Sequence, residues 1–219
     1  MAIAFISGAI NNGAGVQTVS VTYSPTAGNL VIVSLGFTVT PSNVTCLDNF
    51  NNPLTAGPSL TATITGACFY YTAAAGVTSF TASWTTASGV NIACAEYSGV
   101  LGGVNKNLAG NTASGTSATA TITVTTEDSN DYIVGALVSN VNVITMTVGT
   151  LRENAPAAAA KLKIADNTVA SPGAVTLTGT LTSAAWVIVV LELRSVAQAG
   201  GASTSNWLTK AVATGVNKH

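Results

Sequence analysis

Charge is what this chain has least of. Its 219 residues carry 7 Lys and Arg and 8 Asp and Glu, for a formal net charge of -1, whereas an ordinary soluble domain is about one quarter charged. Seven scattered cations make no basic stripe, which excludes a phosphate-neutralising surface and with it nucleic acid as a partner. Histidine is nearly absent too: the only one is His219, the last residue. It cannot serve as the buried base of a Ser or Cys nucleophile, and it has no second ligand at zinc-site spacing. No glycine-rich loop follows a strand and opens a helix, so no phosphate cradle is expected. Cofactors and metals are accordingly not expected, and neither is enzymatic activity.

Cysteine is scarce and odd in number. Of Cys46, Cys68 and Cys94, Cys94 lies in an apolar run and reads as a small core residue. A cross-strand disulfide between Cys46 and Cys68 stays open, since spacing alone does not decide it. No apolar run approaches the ~18 residues of a membrane-spanning helix, so no membrane partner is expected. Residues 1–10 are apolar but lack a basic n-region, and they read as a first strand rather than a signal peptide.

What the chain does have is hydrophobic residues, at 47%, alternating with Thr, Ser and Asn. Strict alternation marks half-buried strands at 16–23, 60–64, 77–84, 118–125 and around Val175 and Leu177. Runs without a wet face, at 30–37, 67–71, 90–97, 132–138 and 185–193, mark strands buried on both sides. Shorter strands are expected at 44–47 and 141–148. The alanine-rich 155–160 has helix propensity, but a strand or loop fits its neighbours at least as well.

The two halves echo each other. Residues 18–35 match 120–137, and 80–97 match 175–193, so that Glu96 and Glu192 fall at equivalent strand ends. The expected fold is therefore all-β: an antiparallel, jelly-roll-like β-sandwich of two pseudo-repeated halves with a C-terminal arm. The sandwich should span 1–196, with halves of about 1–100 and 116–196 and a Gly- and Asn-rich connector at 101–115. Two adjacent sandwich domains are the alternative; the lack of a Pro- or charge-rich linker favours one. Residues 197–219 read as a linker and arm, with Trp207, Leu208 and Val212 on one side of a short helix as candidate subunit contacts.

Few residues offer chemistry. Glu96 and Glu192 would make a glycosidase pair only if both strand ends met in one cleft; otherwise each marks a strand's polar exit. Glu127, Asp128 and Asp131 supply oxygen ligands of the type calcium takes, in what otherwise reads as a solvated corner. Tyr70 and Tyr71 are candidate glycan contacts, but adjacent strand residues point to opposite faces, so only one can serve as a surface aromatic. The strand phase of Trp84 and Trp186 favours the core.

Several short runs carry a resemblance. Gly28-Asn29-Leu30-Val31-Ile32-Val33, Leu47-Asp48-Asn49-Phe50-Asn51-Asn52, Phe69-Tyr70-Tyr71, Ala95-Glu96-Tyr97-Ser98-Gly99-Val100 and Trp186-Val187-Ile188-Val189 resemble a family of β-sandwich modules found in bacterial surface proteins and phage structural proteins. The resemblance covers most of 16–194 and brings no catalytic residues with it. Surface members usually follow a signal peptide or sit within longer chains, and this sequence shows neither pattern. The resemblance therefore implies a free-standing virion component: a capsid decoration, cement or fibre protein that bridges subunits, with itself and capsid or other virion proteins as partners. A glycan-binding module at a cell surface or outside the cell is the alternative.

Overall fold

The computed structural model describes residues 2–101, 103–105, 111–140, 144–155 and 160–195. The described chain is all-β, thirteen strands in two antiparallel sheets packed face to face. The first sheet holds β1 (Ala4–Thr22), β2 (Leu30–Phe37), β3 (Thr45–Asp48), β4 (Thr55–Thr61), β5 (Thr65–Thr72) and β6 (Ser79–Ser98). The second holds β7 (Gly103–Asn105), β8 (Thr112–Thr126), β9 (Tyr132–Ser139), β10 (Ile144–Val148), β11 (Thr150–Ala155), β12 (Lys161–Thr168) and β13 (Gly173–Arg194). Each half of the sequence thus supplies one whole sheet.

The strand orders repeat. The first sheet runs β1-β6-β2-β5-β4 with β3 also on β6. The second runs β10-β13-β9-β12-β11, with β7 and β8 also on β13. Register fixes the equivalence: Leu30 pairs with Tyr97 as Tyr132 pairs with Leu193, and Leu30 pairs with Thr72 as Tyr132 pairs with Thr168. Glu96 and Glu192 then occupy matching positions, as the sequence echo predicts.

Why some strands have no wet face follows from three apolar clusters. In β2, Val31, Val33, Leu35 and Phe37 face a core made within the first half, while Leu30 and Ile32 face a core shared by both sheets. The long β6 borders its own half's core with both ends, through Phe80, Ala82 and Trp84 and again through Val90, Ile92 and Cys94. It therefore bends around that core, and β1 follows it with register shifts between Gly13 and Thr18. In the second half β13 does the same around Ile122, Val124, Leu137, Leu177, Trp186 and Ile188, with a shift between Thr180 and Ala184. Each half is a small sandwich, and the two are joined through their inner faces.

Several sequence expectations shift. Residues 11–13 do not separate two strands but lie inside β1, paired in regular register with Ile92, Asn91 and Val90, and the bulges fall on either side of them. β4 begins earlier than the expected 60–64 because Pro58 sits in an edge-strand bulge between Ala56 and Ser59, where its missing N–H costs nothing. The connector at 101–115 is shorter than expected, since 103–105 and 112–115 are strand. Gly115 serves close packing rather than flexibility: a Cβ there would lie 2.8 Å from the Trp186 ring. The alanine run contributes only Ala155 to β11, and 156–159 lie outside the described residues, as does the expected arm with Trp207, Leu208 and Val212.

Candidate functional site: carboxylate corners and the joint between the halves

The sharpest test of chemistry is whether Glu96 and Glu192 converge. They do not. Glu96 shares a strand face with Cys94, which borders the first half's own core, and Glu192 shares one with Val190, which borders the second half's core. The faces between the sheets are occupied instead by the next residues, Tyr97 and Leu193. The two carboxylates are thus turned away from each other, and no glycosidase pair is assembled.

Each has its own surroundings. Buried Glu96 accepts hydrogen bonds from Tyr23 Oη at 2.5 Å, Asn29 Nδ2 at 2.5 Å and the Thr26 N–H at 3.1 Å. Burial alone would raise its pKa, but donors from Tyr23, Asn29 and Thr26 outweigh that and hold it below the usual carboxylate range. Tyr23 is pushed up, first by burial and then by the carboxylate. Glu192 accepts from Asn105 Nδ2 at 3.0 Å and lies 3.5 Å from Arg194 Nε. Where Glu96 has the donor Asn29 beside it, the equivalent position holds an acceptor, Asp131.

In the Glu127, Asp128 and Asp131 corner, two of the three carboxylates hold structural partners. Arg194 reaches Glu127 at 3.0 Å, and Asp131 accepts the Ser195 N–H at 2.7 Å. Among the described residues, no three His, Cys, Asp or Glu side chains are placed to share a metal ion. The Cys46–Cys68 disulfide that spacing leaves open is not formed: all three cysteines are free, with Cys46 in the first half's core and Cys68 in the core between the sheets. Burial pushes the Cys46 and Cys94 thiols up to about 12.

Tyr70 and Tyr71 lie on opposite faces, as alternation requires. Tyr70 packs against the shared core and Tyr71 against the first half's core, both half-buried. They offer no common stacking platform. Trp84 and Trp186 are buried, as their phase predicts.

Among the described residues the most elaborate polar cluster joins the halves, and no sequence pattern marks it. Tyr97 of β6 donates to Asp166 of β12 at 3.1 Å, and Arg152 of β11 pairs with the same carboxylate at 2.6 Å. The Arg152 guanidinium lies 4.9 Å from the ring centre of Phe5, which packs edge-on against Tyr97. Asn91 Nδ2 donates to the Ala160 carbonyl across the same joint. Burial and the Asp166 charge push Tyr97 well above its ordinary pKa.

The described residues also line two clefts, of about 220 and 280 Å³. The first, beside the β4 bulge, has Cys68 as its one ionisable group, and that thiol donates to the Pro58 carbonyl at 3.4 Å. The second, near Ile3 and Tyr132, has Asp131 as its only acid. The first has no acid among its lining residues, and in the second the Asp131 carboxylate already accepts the Ser195 N–H. No family model matches the chain, and no curated protein or solved structure shows significant similarity to it.

Proposed function

We propose that this chain is a non-enzymatic structural protein that works by packing against its neighbours, and that it belongs to a phage-like particle as a decoration, cement or fibre component. The observation that carries the proposal is where polar and apolar groups are spent. The carboxylates of Glu96, Asp131 and Asp166 are taken up in holding strand ends and the joint. Large apolar side chains, by contrast, are left in the open on strands at sheet edges: Ile6 and Ile10 on β1, Val148 on β10 and Leu151 on β11.

An exposed edge strand presents unpaired N–H and C=O groups as a template for another chain, and proteins that stay alone guard such edges with charge. Here β1 and β10 carry no charged residue, and β11 carries only Arg152 and Glu153. Edge pairing and apolar contact would bridge subunits with little dependence on ion pairs. The virion part of the proposal rests on the resemblance of the β2, β3, β5, β6 and β13 runs. The coding sequences that flank this one test it: capsid and portal genes are expected alongside, and a setting free of virion genes would overturn it.

A further inference from the structure

One loop is built more firmly than the fold requires. In residues 47–53 the Asp48 carboxylate, 3% exposed, accepts the Phe50 N–H, the Asn52 N–H and Asn52 Nδ2, each at 2.9 Å. Burial would raise the pKa of Asp48, but these donors hold it below the ordinary range. Backbone bonds close the turn in both directions between Asp48 and Asn51 or Asn52. Asn49 Oδ1 accepts the Thr78 N–H at 2.8 Å, tying the turn to the neighbouring loop. Asn51 adopts a left-handed φ of 66°, which Asn tolerates better than most residues.

This framework presents Phe50. Phe50 is 54% exposed, yet its Cζ is 3.3 Å from where a Cβ on Gly76 would stand, so the ring rests on that glycine's backbone. The second half supplies an internal comparison. There the equivalent strands, β10 and β11, are joined by Gly149 alone, at φ 99°. The architecture therefore closes without such a loop, and leaving more than half of an aromatic residue in water forgoes most of what its burial would contribute.

We infer that this tip binds a neutral carbohydrate, with Phe50 stacking on the apolar C–H face of a pyranose ring and the exposed Asn51 amide serving its hydroxyls. The surroundings select that ligand class. Asn49, Asn51 and Asn52 are all exposed around the ring, and no charged side chain is exposed in residues 47–53. A protein contact of useful strength needs a broader apolar centre than one ring, whereas one aromatic ringed by amides matches a polyhydroxylated ring with one apolar face. The inference stands apart from the virion proposal, since such a tip could serve any particle or surface.

Saturation-transfer NMR tests it, using methyl pyranosides of the gluco, galacto, manno and N-acetylglucosamine series at millimolar concentration. Saturating the protein should enhance the ring C–H protons of at least one sugar. Phe50→Ala should cut that enhancement about fivefold or more and Phe50→Trp should keep it, in line with the usual strength of aromatic contacts. Asn51→Ala should weaken it less. Because Phe50 is exposed, a thermal melt should show every variant folded. No enhancement with any pyranoside, or an equal enhancement in Phe50→Ala, overturns the inference. Loss of self-association in Phe50→Ala without any sugar signal would assign the tip to a protein contact and overturn it as well.

Discussion

The two halves share a strand order and a pairing register, yet where they meet they are opposites. Around the Gly36–Gly66 pair the first half is small where the second is large. Gly36 and Gly66 of the first half match Val138 and Leu162 of the second, and Asn91, Ala93 and Ala95 match Val187, Val189 and Leu191. A Cβ on Gly36 would stand 2.9 Å from a Val138 methyl, and one on Gly66 would stand 3.0 Å from a Val187 methyl. The missing side chains of one half are the room for the other's. A repeat whose copies fit each other in this way no longer has interchangeable halves, which explains why the molecule closes as one sandwich of two small ones.

Making the first half resemble the second should do the most damage. Gly36→Val with Gly66→Leu places bulk where methyls already stand, at about 3 kcal/mol each or more. Together these approach the whole stability of an ordinary domain, so the double variant should fail to give a cooperative thermal transition. Unlocking the polar latch comes next. Asp166→Ala leaves Tyr97 and Arg152 without their shared acceptor and should cost about 2–4 kcal/mol in denaturant unfolding. Glu192 has no such role across the joint, and Glu192→Gln gives the control for that comparison.

The strand-end carboxylate ranks third. Glu96→Gln should cost about 1.5–3 kcal/mol at neutral pH, the range for hydrogen bonds to a charged group. Its pKa is depressed in the fold, so its contribution is full above the usual carboxylate range and is lost as pH falls through the folded value. The penalty of the variant should therefore shrink in acid, as a pH series of melts would show. The smallest effect has the opposite sign. Glu153 of β11 lies over Gly8 of β1, with its Oε1 2.4 Å from where a Cβ would be, and burial raises its pKa. A raised carboxylate favours folding below its unfolded pKa and loses that advantage as pH rises through the folded value. Glu153→Gln should thus raise the melting temperature at neutral pH, by on the order of a degree or two, and change little in acid.

Much of this fold was legible because alternation and its absence are local signals. The run 30–37 is β2 to the residue, Trp84 and Trp186 are core, and the Glu96–Glu192 match holds in the pairing. Alternation states that a residue is covered but not what covers it. Val31 and Ile32 read alike, although one faces its own half and the other faces the partner half. The same blindness hid the latch, since Tyr97, Arg152 and Asp166 are brought together only by packing between sheets. Gly115 and the hydroxyl-rich start of β8 read as loop because composition cannot tell a glycine needed for a turn from one needed under an indole. The Asp48 loop looked like an ordinary turn; its distinctness shows only against the single glycine that replaces it in the second half.

The central functional claim is that a chain with so little charge and such open apolar edges assembles, and does so without relying on ion pairs. Native mass measurement of the full chain, from low salt to about 1 M, where the screening length falls to about 3 Å, tests it most directly. The account predicts an oligomer that persists unchanged across that range. A monomer at every salt and protein concentration, or an oligomer that dissolves as salt is added, would contradict it.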